Sequence, residues 1–219
     1  MATFIYILFF ATLVASNTPT AKERKDLLHY HNHKRASVKP SATNMLEMVY
    51  SLKLERLADK WVKKCIYEHP NSTQYPEYRD YGQNLVLFGG VSRNLVEMAA
   101  KWWEEVKDFS YERNKCAPRK VCHHYIQMVW STSNELGCAV KRCDHLRPDW
   151  PPPVYLLACQ YKPPGNYMGI KPYKDGRSCR DCPFGTKCRN RLCSTKSASY
   201  TRRFEGLLLC AVLIVYYFL

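Results

Sequence analysis

Three stretches of the chain carry apolar side chains at spacings of three and four, the rhythm of a helix with one buried face. The first opens at Thr20-Ala21-Lys22-Glu23, a capping-box pattern, and runs to about Arg35 with Leu27, Leu28 and His31 near one face. The second spans roughly Leu52 to Tyr67, with Leu54, Leu57, Ala58, Trp61, Val62 and Cys65 forming the stripe. The third, capped by Ser92, places Leu95, Met98, Ala99, Trp102, Val106 and Phe109 in the same order. A short apolar segment, Tyr125 to Trp130, predicts a further helix. Two strand-like runs follow, Gly137 to Arg142 and Val154 to Tyr161, separated by Pro148 and Pro151-Pro152-Pro153. Helices first and strands late predict an α+β fold, with helices packed on a small sheet.

Both ends of the chain have a different pattern. Phe4 to Val14 is a largely apolar block followed by the small residues Ala15 and Ser16, the form of a secretory signal over residues 1–16. At the other end, small residues at Ser197-Ala198-Ser199 precede a polar spacer and the apolar run Leu207 to Leu219. That order predicts a glycolipid-anchor signal over 196–219 with attachment at Ser197. A retained short membrane tail is the alternative. From Lys171 to about 195 the chain is short of large apolar residues and dense in cysteine, so it is expected to be a disulfide-stapled appendage to a main domain over 17–170.

The chain has 219 residues and 11 cysteines. Setting Cys210 aside with the apolar tail leaves an even set, which fits disulfides in an oxidising compartment. Cys179-x-x-Cys182, with Cys188 and Cys193 behind it, is also a zinc-like spacing, and sequence alone leaves the pairing open. Asn71-Ser72-Thr73 is a glycosylation sequon in a polar stretch that reads as an exposed loop. The formal charge of +14 fits a solvated basic surface, or attraction to anionic glycans and lipid headgroups. Nucleic acid is not an expected partner for a secreted chain without a recognisable binding module.

Histidine is the main candidate for chemistry. By spacing, His29 and His33 share a helix face, while His31 points towards the side of Leu27 and Leu28. There is no GxSxG, no HExxH and no phosphate-cradling glycine loop, and the even cysteine count leaves no spare thiol nucleophile.

The run His123-His124-Tyr125-Ile126-Gln127-Met128-Val129-Trp130, followed by Gly137-Cys138, resembles the first signature of the CAP superfamily. That superfamily contains the cysteine-rich secretory, antigen 5 and pathogenesis-related proteins. Leu156-Leu157-Ala158-Cys159-Gln160-Tyr161 through Tyr167 is similar to its second signature, and His31-Asn32-His33-Lys34-Arg35 to its HN-x-x-R segment. The short cysteine-rich tail resembles the hinge of the glioma pathogenesis-related-like subgroup.

The resemblance implies an α-β-α sandwich around a mostly antiparallel sheet, and a cleft lined by two His and two Glu. Carried onto this chain, the cleft set is His31, Gln83, Glu105 and His124, with Gln83 standing where the family's Gly-Glu-Asn segment has its Glu. An amide is no general base, so no catalytic residue is expected. The missing negative charge weakens a zinc site, for which His31 and His124 are the expected ligands. The implied disulfides are Cys65–Cys143, Cys138–Cys159, Cys116–Cys122, Cys179–Cys188 and Cys182–Cys193. The expected function is that of a secreted or lipid-anchored interaction protein without catalysis, binding a protein receptor, a sterol or lipid, or an anionic glycan. A metal-dependent hydrolase using His31, His124 and Glu105 is the alternative.

Overall fold

The computed structural model describes residues 18–90 and 93–195. The expected signal segment, Ser92 and the tail with Ser197 lie outside these residues.

The elements follow in chain order as α1 (Ala21–Ala36), β1 (Val49–Tyr50), α2 (Leu52–Val62), β2 (Gly82–Gly89) and α3 (Leu95–Glu104). Then come the small ribbon β3 (Phe109–Ser110) and β4 (Lys115–Cys116), followed by α4 (His123–Met128), β5 (Glu135–Arg142) and β6 (Val154–Lys162). A hinge hairpin, β7 (Lys187–Arg189) and β8 (Leu192–Ser194), completes the fold. The central sheet has the order β1-β5-β6-β2. Its β5–β6 and β6–β2 pairs are antiparallel, and the two-residue β1 lies parallel to β5 at the edge.

The alternation of side chains along the strands builds a three-layer sandwich. In β6, Leu157, Cys159 and Tyr161 face a core shared with Leu27 of α1, Met98 and Trp102 of α3, and Tyr125 and Met128 of α4. The intervening Val154, Leu156 and Ala158 face the second core, with Ala58, Trp61 and Val62 of α2. A period of two thus separates α2 from the other three helices. Gly137 of β5 is what lets α2 sit so close. A Cβ there would lie 2.3 Å from the backbone nitrogen of Glu55.

Thr20 and Glu23 form the capping box expected at the start of α1, the Thr20 hydroxyl accepting from Glu23 N and the Glu23 carboxylate from Thr20 N. Two of the predicted helices end early. The second stops at Val62, because Cys65 takes a left-handed φ of 48° and bonds to Cys143. The third is capped by Asn94, whose side-chain oxygen accepts from Val96 N and Glu97 N. It passes at Glu105 into a single 3-10 turn, so Phe109 begins a strand rather than ending a helix.

Arg35, in the last turn of α1, is buried without a carboxylate partner. Its guanidinium instead donates to the carbonyls of Leu46, Met128, Trp130 and Ser131 at 2.7–3.1 Å. One side chain therefore joins α1, the segment before β1 and the end of α4.

Among the described residues there are five disulfides, and they are the pairs implied by the resemblance: Cys65–Cys143, Cys116–Cys122, Cys138–Cys159, Cys179–Cys188 and Cys182–Cys193. The hinge is held to the main body as well as stapled internally. Cys193 N donates to Met45 O, and Glu47 N donates to Cys193 O. Leu192 and Tyr173 are buried in the larger core.

Candidate functional site

The structure corrects the first member of the expected cleft. His31 is fully buried. Its Nδ1 lies 2.8 Å from Leu27 O, one turn back, and its Nε2 lies 2.9 Å from the Tyr161 hydroxyl. Both ring nitrogens are engaged within the core, so neither is open to a metal or a ligand. Burial lowers its pKa to about 4, and the nearby positive charge of Arg35 acts in the same direction, so the ring is neutral at physiological pH. His31 is a core histidine placed by the inward phase of α1, which also rules out the expected pairing of His31 with His124 around zinc.

The other three expected residues do lie at one site. His124 sits at the start of α4, where its Nδ1 is 2.6 Å from Glu105 Oε1. Glu105 Oε2 accepts from the backbone nitrogens of both His124 and Tyr125, at 3.1 and 3.0 Å. The carboxylate thus caps the open end of α4 while orienting the imidazole. Trp102 stacks with that ring at a centroid separation of 6.5 Å and an interplanar angle of 20°. From β2, Asn84 donates to His124 O at 3.0 Å and to the Tyr161 hydroxyl at 3.3 Å.

Gln83 brings in a histidine that the sequence reading passed over. Its Oε1 lies 2.9 Å from Nδ1 of His69, an exposed residue in the loop after α2. The loop is close to the other pair. The hydroxyl of Tyr67 is raised in pKa by partial burial and then by the negative charge of Glu105. His69 is thus paired with Gln83 as His124 is with Glu105, and Asn84, next to Gln83 on β2, ties the two segments through its bond to His124 O. No helical or strand period marks His69. A weak signal was its position four residues beyond Cys65, whose bond to Cys143 pins the loop beside the sheet.

The two halves share a chemical logic. In each, an oxygen acceptor holds Nδ1, the Gln83 amide for His69 and the Glu105 carboxylate for His124. That makes Nδ1 the donor and leaves Nε2 as the ring nitrogen available to a ligand. The residues that would hold a zinc ion here are two histidines, with one carboxylate fewer than the family's set.

Glu105 accepts three hydrogen bonds through its two oxygens, so both oxygens are occupied. Gln83 cannot exchange a proton in the required range. Among the described residues, the only close group of three metal-type ligand atoms is Cys179, Cys182 and Cys193. All three are in disulfides, so the hinge is not a zinc site.

Comparison with known proteins places these features in context. Residues 28–161 match the family described as "CAP: Cysteine-rich secretory protein family". The mouse protein Cysteine-rich secretory protein LCCL domain-containing 1 is 39% identical over 201 residues, covering 85% of this chain and 39% of that protein. The chain thus spans well under half the length of that relative. Human Peptidase inhibitor 15 is 36% identical over 206 residues, covering 84% of this chain and 78% of its own. The crystal structure of NaASP2 with Zn2+ is similar with a TM-score of 0.64 and 25% identity, over 81% of this chain and 98% of that one.

Proposed function

We propose, from the premise that this chain belongs to the CAP family of cysteine-rich secretory proteins, that it is an extracellular recognition protein without catalytic activity. The observation that carries this reading is the state of the cleft. Its one carboxylate is fully engaged by His124 and the start of α4, and Gln83 stands in place of a second. The bases left there are imidazoles, without the second carboxylate of the family's set. The alternative of a metal-dependent hydrolase now lacks His31 as a ligand and has its expected base, Glu105, engaged in three hydrogen bonds.

A hydrolase screen run with and without chelator tests the reading. No turnover is expected. Chelator-sensitive hydrolysis that disappears in Glu105→Ala would establish the enzyme instead. Zinc, where bound, would be held by Nε2 of His69 and His124, and would give the cleft a positive centre for an anionic or carbonyl-bearing group. Calorimetric zinc titration should show this binding weakened in both His69→Ala and His124→Ala. Equal affinity in all three proteins would remove the cleft metal.

The partner class is a protein, a sterol or lipid, or an anionic glycan. The relatives named as peptidase inhibitors support including extracellular peptidases in a binding panel. The hinge supports anionic partners, with Lys171, Lys174, Arg177, Arg180, Lys187, Arg189 and Arg191 set against Asp175 and Asp181. Attachment to a membrane through the lipid anchor at Ser197 belongs to the same reading, and phospholipase release from cells tests it.

Asn71 is exposed two residues from His69, its Oδ1 accepting from Thr73 N and Gln74 N in a tight turn. A glycan on it would stand at the rim of the cleft. Glycosidase treatment of the secreted protein should increase its gel mobility, and Asn71→Gln should abolish the change.

A further inference from the structure

His29 and His33 take no part in the cleft. Both are exposed on α1, on the face opposite the buried Leu27, His31 and Arg35. The phase of the helix is locked by those three residues, so the two rings are held outward and one turn apart. They stack with centroids 6.2 Å apart and an interplanar angle of 22°. Two imidazoles in this relation can turn one nitrogen each onto a common ion.

Both rings line a cavity of about 400 Å³ between α1 and the hinge hairpin. Glu47 contributes a carboxylate to its wall, and Asn190, in the turn between β7 and β8, an amide. The Glu47 carboxylate also accepts from the Ser194 hydroxyl, which ties it to β8. Lys25 and Arg189 line the same cavity. Their charges disfavour ions held by electrostatics alone, such as calcium and magnesium. Ions that bond well to neutral imidazole, such as zinc, nickel and copper, are less affected by them.

We propose that His29 and His33 form a two-histidine divalent transition-metal site at the junction of α1 and the hinge, with Glu47 in the wall of the same cavity rather than among the ligands. An ion there is coordinated from the main body and lies against the hinge turn, so it strengthens the docking of the hinge on α1. The site is independent of the cleft.

The test is zinc titration of the full chain, prepared without a polyhistidine tag, in a His124→Ala background that removes the cleft site. One zinc should bind. Adding either His29→Ala or His33→Ala should weaken it by at least about tenfold, since a chelating pair becomes a single ligand. Both positions are exposed, so neither change threatens the fold. Copper-loaded protein gives a second readout: the magnetic resonance spectrum should show two coordinated imidazole nitrogens, and one after either substitution. Zinc binding that survives both substitutions undiminished, or no binding in the His124→Ala background, would overturn the proposal.

Discussion

Replacing Arg35 with methionine is expected to destabilise the fold by about 4 kcal/mol, among the largest effects open to a single substitution here. The side chain donates five hydrogen bonds to four backbone carbonyls inside the protein. A substitution removes the donors but cannot remove the carbonyls. Leu46 O and Met128 O are then left with much less satisfaction in a dry environment. A buried ion pair can sometimes be exchanged for apolar residues without loss, because both charges go together. That escape does not exist when the acceptors are main chain. Arg35→Lys should recover part of the loss, since an ammonium has three donors rather than five and no planar fork. Chemical denaturation with disulfides intact is the measurement. An unfolding free energy for Arg35→Met within about 1 kcal/mol of wild type would show that the carbonyls find other partners.

The second large effect is a loss of stability in acid that traces to His31. Its folded pKa is lowered to about 4 from an ordinary value of 6.5, first by burial. The unfolded chain therefore binds a proton that the folded chain refuses. The contribution is fully present above pH 6.5 and is lost as the pH falls from 6.5 through 4, to a total of roughly 3 kcal/mol. The groups facing the ring act consistently: Arg35 carries a positive charge nearby, and Tyr161 offers a hydroxyl whose own ionisation is pushed far up by burial. His31→Phe keeps a ring in the core without a titrating nitrogen. It should be less stable at neutral pH, yet lose this share of the pH dependence. Unfolding free energies at pH 7.5, 5.5 and 4.5 decide the point, and identical slopes for the two proteins would refute the assignment.

His31 also shows how far the sequence can be read. The spacing that placed it with Leu27 and Leu28 was evidence that it is buried, yet the family motif drew it into the cleft. The local pattern was the better guide. Helices α1, α2 and α3 were legible because each buries a single stripe, and the two long strands because prolines bound them. Strand β2 was not recognised. Its Leu85-Val86-Leu87-Phe88 run faces a core on both sides, so the alternation that marks a half-exposed strand is absent. The ends of α2 and α3 are set by a disulfide and by the turn holding Glu105, which are tertiary facts. The cleft was three-quarters visible: Gln83, Glu105 and His124 lie in recognisable segments. His69 lies in a polar loop and acquires meaning only when folding brings it against Gln83.

The Cys116–Cys122 bridge closes the connector just before His123 and His124, and Glu105 holds the first amides of the helix that follows. The histidine side of the cleft is therefore set before any visitor arrives. Little freedom remains there to be surrendered on association, so contact energy goes into affinity rather than into organising the receiving surface. The free and occupied forms should superimpose at this wall, which makes the unliganded shape a faithful template for designing molecules to fit it.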